Sequence, residues 1–266
     1  MTDPISNRSG AGSPSTVVVV PTYNEADNLE RIISRVHAAV AHADVLVVDD
    51  ASPDGTGDVA DKLATLDSRI HVLHRPGKQG LGVAYLAGFA WALERHYEVV
   101  CEMDADGSHP PESIPDLLAA LDDADLVIGS RWVPGGRIEN WSWGRKVMSL
   151  SGNLYARLVL GFSLRDSTSG FRAFRRSALE AVDLGDVASQ GYCFQMDLAR
   201  RAVRAGLRVV EVPITFADRE YGVSKMSLGV AMESLIRVTR WGLRDRFDRS
   251  RSRVDGRTRR DAHEVR

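Results

Sequence analysis

Between Thr16 and Gly129, short runs of β-branched and other apolar residues alternate with stretches of helical period. Thr16–Val20, Val45–Val48, Ile70–His74, Val99–Met103 and Leu126–Gly129 read as strands, each a brief apolar run bounded by turn residues. Ala26–Ala41, Asp58–Leu66, Val83–Arg95 and Ile114–Leu121 read as helices. In the first of them Leu29, Ile32, Ile33, Val36 and Val40 recur on one face. This alternation predicts an α/β fold, a doubly wound, mostly parallel sheet flanked by helices. Pro21 is expected to stop the first ladder, and Asn24 to cap the first helix. Ligands of such sheets lie in the crevice outside the carboxyl ends of the strands.

Those ends carry the chemistry. The apolar run from Val99 stops at Asp104-Ala105-Asp106, followed by Gly107-Ser108-His109-Pro110-Pro111. Two carboxylates two residues apart point to the same side of an extended chain, and Ala105 between them leaves room for a ligand. Such a pair suits a hard divalent cation held by oxygens, with positions left for substrate phosphates; a solvated turn is the blander reading. The first strand ends at Pro21-Thr22-Tyr23-Asn24-Glu25 and the second at Asp49-Asp50. An aromatic ring, several carboxylates and a metal-binding pair thus converge on one crevice, which describes a pocket for a nucleotide whose phosphates a metal bridges. Arg75-Pro76-Gly77-Lys78-Gln79-Gly80-Leu81-Gly82 precedes a helix; its glycines and cations suit either a phosphate or a tight turn. It matches neither G-x-G-x-x-G nor the Walker pattern.

The formal net charge of the 266-residue chain is -2, which gives no field for nucleic acid. Cys101 and Cys193 sit in apolar neighbourhoods, so they read as buried thiols of a reducing cytoplasm. Residues 1–15 are rich in Ser, Gly, Asn and Pro and read as a disordered segment. No run of about 18 apolar residues occurs, so no membrane-crossing helix is expected. In a helix expected over Arg145–Leu160, Arg145, Ser149, Asn153 and Arg157 recur every fourth position and the remainder is apolar. A face that wide either packs as core, the commoner outcome, or lies in a membrane interface. Residues 227–247 repeat the pattern, with Glu233, Arg237, Arg240 and Arg244 opposite Leu228, Leu235, Ile236 and Trp241. The catalytic domain is expected over 16–226. The Arg- and Asp-rich tail 248–266 reads as disordered, either solvated or touching anionic lipid.

Val20-Pro21-Thr22-Tyr23-Asn24-Glu25, Val48-Asp49-Asp50-Ala51-Ser52-Pro53-Asp54-Gly55-Thr56, Met103-Asp104-Ala105-Asp106, Gly129-Ser130-Arg131, Asp166-Ser167-Thr168-Ser169-Gly170-Phe171-Arg172 and Gly222-Val223-Ser224-Lys225-Met226 follow one another in that order. In this the chain resembles the polyprenyl-phosphate mannose synthases, of the dolichol-phosphate type with its actinobacterial polyprenol counterparts. These are inverting family 2 glycosyltransferases with the GT-A fold. The resemblance runs from about Thr16 to Trp241.

It implies GDP-mannose as donor, a polyprenyl monophosphate as acceptor and Mg²⁺ or Mn²⁺ as cofactor. By motif match Pro21, Tyr23, Glu25, Val48 and Asp50 would hold the nucleoside, and Asp104, Ala105 and Asp106 the diphosphate through the metal. Arg131, Arg219 and Lys225 would bind donor or acceptor phosphates, and Arg145 and Ser149 the acceptor phosphate. Some members carry Gln as a further metal ligand where this chain has Ser108, so a hydroxyl or a bound water would stand in. Asp197 lies where many family 2 enzymes have a base, and here it is expected to orient the sugar or a cation. The resemblance further implies a peripheral protein at the inner face of the cell membrane, working with a separate membrane protein. Two other readings of the residues are a UDP-sugar polyprenyl-phosphate glucosyltransferase and a membrane-associated pseudoenzyme that binds sugar nucleotides.

Overall fold

The computed structural model describes residues 14–185, 187, 192–218 and 234–246. The segment 1–13, the start of the expected C-terminal helix at 227–233 and the tail 248–266 lie outside them, as do Arg219 and Lys225.

Strands β1 (Thr16–Thr22), β2 (Asp44–Asp49), β3 (Ile70–His74) and β4 (Val99–Glu102) alternate with helices α1 (Ala26–Ala39), α2 (Thr56–Leu66) and α3 (Leu81–Glu94). Helix α4 (Ile114–Ala120), β5 (Leu126–Ser130) and the short β6 (Arg137–Ile138) follow. Then come α5 (Trp143–Leu160), β7 (Arg172–Arg175), α6 (Arg176–Ala181), α7 (Tyr192–Arg204), β8 (Val209–Pro213) and β9 (Thr215–Phe216). Residues 234–246 are helical. Seven strands form one sheet in the order β3-β2-β1-β4-β7-β5-β8; only β7 runs antiparallel to its neighbours. Strands β6 and β9 pair separately.

Burial on both faces explains the unbroken apolar strands. Val17 and Val19 of β1 and Leu46 and Val48 of β2 join one core layer with Tyr85, Phe89 and Phe194. Val18, Val20, Val45 and Val47 point the other way, to Leu29, Ile32, Val36 and Leu117. Helix α3 lies so close to the sheet that a Cβ on Gly88 would stand 2.4 Å from Val19 Cγ1.

Two local expectations fail. Pro21 does not end β1: it pairs in register with Val48, and the strand runs on to Thr22 opposite Asp49. Pro21 shares the parity of Val19, whose carbonyl accepts from Met103 N on the β4 side. The β1–β4 register stops at Val19–Glu102, so Pro21 omits its donor where no partner strand remains. Asn24 does not cap α1. It sits at φ 62°, and the chain enters the helix through Glu25. The second loop supplies the caps: Asp54 accepts from Ala26 N at 3.2 Å and Thr56 Oγ1 from Glu25 N at 2.9 Å.

Helix α5 forms as its pattern requires, with Ser142 as N-cap and Gly161 at φ 71° as C-cap. Its orientation overturns the expectation of an apolar core face. The polar stripe turns inward, with Asn153 2 % exposed, while Trp143, Val147, Leu150, Leu154 and Leu158 are solvent-exposed. Leu235, Ile236 and Leu243 of the 234–246 helix are exposed as well, and Val238 is buried. No helix among the described residues is long and apolar enough to cross a membrane.

Candidate active site

The chain runs outward from β1 through β2 to β3 and returns to place β4 on the other side of β1, so the sheet's switch point lies between the tips of β1 and β4. The tips of β2, β1 and β4 are neighbours, and they carry Asp50, Tyr23 and the Asp104–Asp106 loop respectively.

At the β2 end Asp50 is 5 % exposed and paired with the Arg75 guanidinium. Gln79 N donates to Asp50 Oδ2 at 3.3 Å, and Arg75 Nη2 to Gln79 Oε1 at 2.8 Å. Lys78 Nζ stands 3.6 Å from the centre of the Tyr23 ring. The loop from Arg75 to Gly80 therefore spends its cations on Asp50 and Tyr23. Glu25 accepts from Asn28 Nδ2 at 3.0 Å. The side chains of Pro21 and Val48 are buried, Val48 in the core, so only their backbone can meet a ligand.

Strand β4 ends at Glu102, and the acidic loop turns at Gly107, whose φ of 77° favours glycine. Asp104 is half-buried; its Oδ1 accepts from Tyr85 Oη at 2.8 Å and its N–H donates to His109 Nδ1 at 3.0 Å. His109 stacks on Phe171 at 5.3 Å. Asp106 is buried, and its Oδ1 accepts from Ser108 N at 3.0 Å and Ser108 Oγ at 2.6 Å. The Ser108 hydroxyl thus orients Asp106 rather than standing as an independent ligand. Ala105 differs from expectation too: its methyl packs in the core with Met103 and Ile114, away from any ligand. Burial, then the charges of Asp104, Glu102 and Asp106, push the Tyr85 phenol well above its usual range, so it remains a neutral donor.

Two carboxylates, each with one oxygen fixed by a neutral hydroxyl, form a donor set that fits Mg²⁺ or Mn²⁺. Among the described residues no cluster of three His, Cys, Asp or Glu side chains closes a cage. An ion here would complete its shell with water and substrate oxygens, as phosphate-transfer sites require.

Beneath the loop, Glu102 and Arg172 face each other across β4 and β7 and are fully buried. Burial pushes the Glu102 carboxyl up, to about 8, against the pull of Arg172. Arg172 donates from Nε to Ser169 O at 2.8 Å and from Nη2 to Ser167 O at 2.9 Å, fixing the 166–170 loop from inside.

That loop fixes Arg131, which follows β5. Arg131 donates to Asp166 from its backbone N at 2.9 Å, Nε at 2.7 Å and Nη2 at 2.6 Å, and from Nη2 to Thr168 Oγ1 at 2.8 Å. Burial would raise the Asp166 carboxyl, but the Arg131 charge and hydrogen bonds outweigh it and hold it below the usual range. Asn153 bonds Thr168 Oγ1 at 3.3 Å and accepts from Ser167 N at 2.9 Å, which ties α5 to the same loop.

Arg131 also borders a cleft of about 390 Å³ between α5 and the 234–246 helix. Arg145, Ser149 and Thr168 give its polar end, and Met148, Met196, Leu235 and Val238 its apolar depth. Arg145 lies over Trp141 at 3.9 Å and pairs with Asp218 at 2.7 Å; Ser149 Oγ accepts from Trp132 Nε1 at 3.3 Å. Asp197 is 2 % exposed and bonded to Arg200 at 3.4 Å and Arg201 at 3.0 Å, so it orients cations and is not placed to take a proton. Arg200 in turn pairs with Asp245, joining α7 to the 234–246 helix.

The structure brings Tyr23, Asp50, Asp104 and Asp106 to one edge of the sheet and Arg131, Arg145 and Ser149 to the adjoining cleft. Sequence reasoning missed Tyr85 and Asp166 as partners of these residues. Tyr85 was hidden in the apolar pattern of α3, whereas Asp166 stood in a polar motif whose contact with Arg131 spans 35 positions.

The family described as glycosyl transferase family 2 matches residues 17–183. The polyprenol monophosphomannose synthase of Mycolicibacterium smegmatis is 54% identical over 264 residues, covering 96% of this chain and 100% of that protein. The undecaprenyl-phosphate mannosyltransferase of Micrococcus luteus is 55% identical over 238 residues, covering 90% and 98%. The dolichol-phosphate mannosyltransferase of Pyrococcus furiosus is 37% identical over 228 residues, covering 84% and 62%. Among solved structures, a glucosyl-3-phosphoglycerate synthase of Mycobacterium tuberculosis, crystallised with Mn²⁺ and UDP, aligns at TM-score 0.60 and 21% identity, covering 85% of this chain and 77% of that one. A mannosyltransferase of Pyrobaculum calidifontis, crystallised with GDP-mannose and Mn²⁺, aligns at TM-score 0.54 and 21% identity, covering 80% and 58%. At that identity the two structures speak to the GT-A fold alone. Family match, near full-length relatives and sheet topology agree: the chain belongs to glycosyltransferase family 2.

Proposed function

We propose that this chain transfers mannose from GDP-mannose to a polyprenyl monophosphate with inversion, giving polyprenyl-phosphate β-mannose and GDP. The observation that carries the reading is the continuity of the site. An acidic strand-tip cradle fit for a nucleoside diphosphate runs, through Arg131, into a cleft with a cationic mouth and an apolar depth. An isoprenoid phosphate has that same polarity. The names and the 54–55% identity of the two actinobacterial relatives point to the same acceptor and the same sugar.

Tyr23, Glu25 and Asp50 would hold the nucleoside, with backbone of Pro21 and Val48 beside them. Asp104 and Asp106, in the loop around Ala105 and supported by Ser108, would hold Mg²⁺ or Mn²⁺. When bound, that ion supplies positive charge for the diphosphate as it departs. The acceptor is a phosphate monoester, anionic near neutral pH, so it needs no strong base, consistent with Asp197 being committed to two arginines. Arg131, held rigid by Asp166, and Arg145 and Ser149 at the cleft mouth would set the acceptor phosphate against the anomeric carbon. Arg219 and Lys225, outside the described residues, are proposed as further phosphate ligands.

The outward apolar face of α5 supports a membrane-surface location for this chemistry. Leu154 is 53% exposed and Leu158 69%, an unusual fate for leucines on a helix whose polar stripe is buried. With Lys146, Arg237, Arg240 and Arg244 nearby in sequence, these helices suit an anionic inner leaflet, where a membrane-protein anchor would also act.

Purified protein offered radiolabelled GDP-mannose, polyprenyl phosphate and Mg²⁺ or Mn²⁺ should yield a labelled lipid that mild acid cleaves to mannose. UDP-glucose should give little. Transfer from UDP-glucose alone, or none from either donor, would overturn the reading.

A further inference from the structure

Helix α3 carries a tyrosine at a position where its neighbours Ala84, Phe89 and Ala92 are simply apolar, and Tyr85 is fully buried. A phenylalanine would pack the same space. The hydroxyl therefore needs a partner to justify its burial. That partner is Asp104 Oδ1, at 2.8 Å. The ring itself has little freedom: Phe194 lies parallel to it, at 6.1 Å and 5° between planes, and Phe89 stands 6.1 Å away on α3.

The two loop carboxylates are thus fixed in different ways. The bond from Ser108 to Asp106 is local, so the two residues move together with the loop. The bond from Tyr85 reaches 19 positions back and fastens Asp104 to the packed helical layer. His109 holds the Asp104 backbone at the same time, through Nδ1 at 3.0 Å. Backbone and side chain of this one residue are restrained independently. A neutral phenol also leaves the full negative charge on the carboxylate, which an arginine or lysine in its place would offset.

We infer that Tyr85 is a positioning residue for the divalent cation: it orients Asp104 so that the carboxylate meets the ion without reorganising. This rests on the reading of Asp104 as a cation ligand. Groups that orient a metal ligand from behind are commonly worth about 10–100-fold in metal affinity.

The test is Mn²⁺ binding in the presence of GDP, followed by loss of the free-ion paramagnetic resonance signal, for the parent, Tyr85→Phe and Asp104→Ala. Tyr85→Phe keeps the ring, so it should melt within about 4 °C of the parent. Its Mn²⁺ dissociation constant should rise about 10-fold or more. In turnover its Mn²⁺ requirement should rise likewise, while kcat at saturating Mn²⁺ stays within about threefold of the parent. If the parent and Asp104→Ala bind Mn²⁺ alike, Asp104 is no ligand and the inference falls with that assignment. If Asp104→Ala loses the ion while Tyr85→Phe binds it as tightly as the parent, or more tightly, the inference is overturned and the metal assignment stands.

Discussion

Replacing Asp166 by Asn removes the charge that holds Arg131. Both partners are almost wholly buried, with side chains 5% and 0% exposed, so solvent screens little of the interaction. Asn can still accept from the Arg131 backbone N–H. It loses the two charge-assisted contacts from Nε and Nη2, at 2.7 and 2.6 Å, and turns an amide N–H₂ toward a cation. Two such contacts at about 1.5–3 kcal/mol each bracket the cost of about 3–5 kcal/mol typical when one member of a buried pair is removed. For a chain of this length that corresponds to a drop in melting temperature of about 6–20 °C. The sign of the pH dependence follows from the depressed Asp166 carboxyl. Its contribution is present above the unfolded value of 3.8 and is lost as pH falls through the lower folded value. The stability difference between parent and Asp166→Asn should therefore be flat from about pH 5 to 8 and shrink below about pH 4. Urea denaturation at several pH values, read as midpoints with unchanged slopes, gives the comparison. A difference under about 1 kcal/mol at neutral pH, or one that widens in acid, would refute the reasoning.

Gly88→Ala should destabilise by about 1–3 kcal/mol, because its Cβ would press on Val19 at 2.4 Å, in a helix face with no room to move; calorimetry would show it, and an unchanged melting point would contradict the packing. Leu154→Glu with Leu158→Glu should leave folding intact, since both side chains are exposed, yet cut sedimentation with anionic phospholipid vesicles several-fold. Equal vesicle binding would argue against α5 as the membrane-facing surface.

The fold was legible because the signals that specify it are local. Strand runs such as Val17–Val20, one-faced helices such as α1, and turn residues between them each act within a few positions. The doubly wound order then places the strand tips side by side, so Tyr23, Asp50 and Asp104 could be grouped from sequence. What escaped depends on direction. Ala105 read as space for a ligand, but alternation turns its methyl into the core when the acidic side chains face outward. Pro21 read as a strand end, yet its missing donor falls on the side where β4 has stopped. The wide apolar surface of α5 read as core, because pattern alone identifies two faces without saying which one meets the protein. Tyr85 and Asp166 escaped because each acts through a residue distant in sequence, to which no local pattern points.

A crystal structure with GDP-mannose and Mn²⁺, with the ion located by its anomalous signal, tests the site most directly. If the three strand tips form one cradle, manganese lies between Asp104 and Asp106, the base beside Tyr23 and Asp50, and the sugar toward Arg131. Manganese bound elsewhere, or a nucleotide seated away from the tips of β1, β2 and β4, would contradict it.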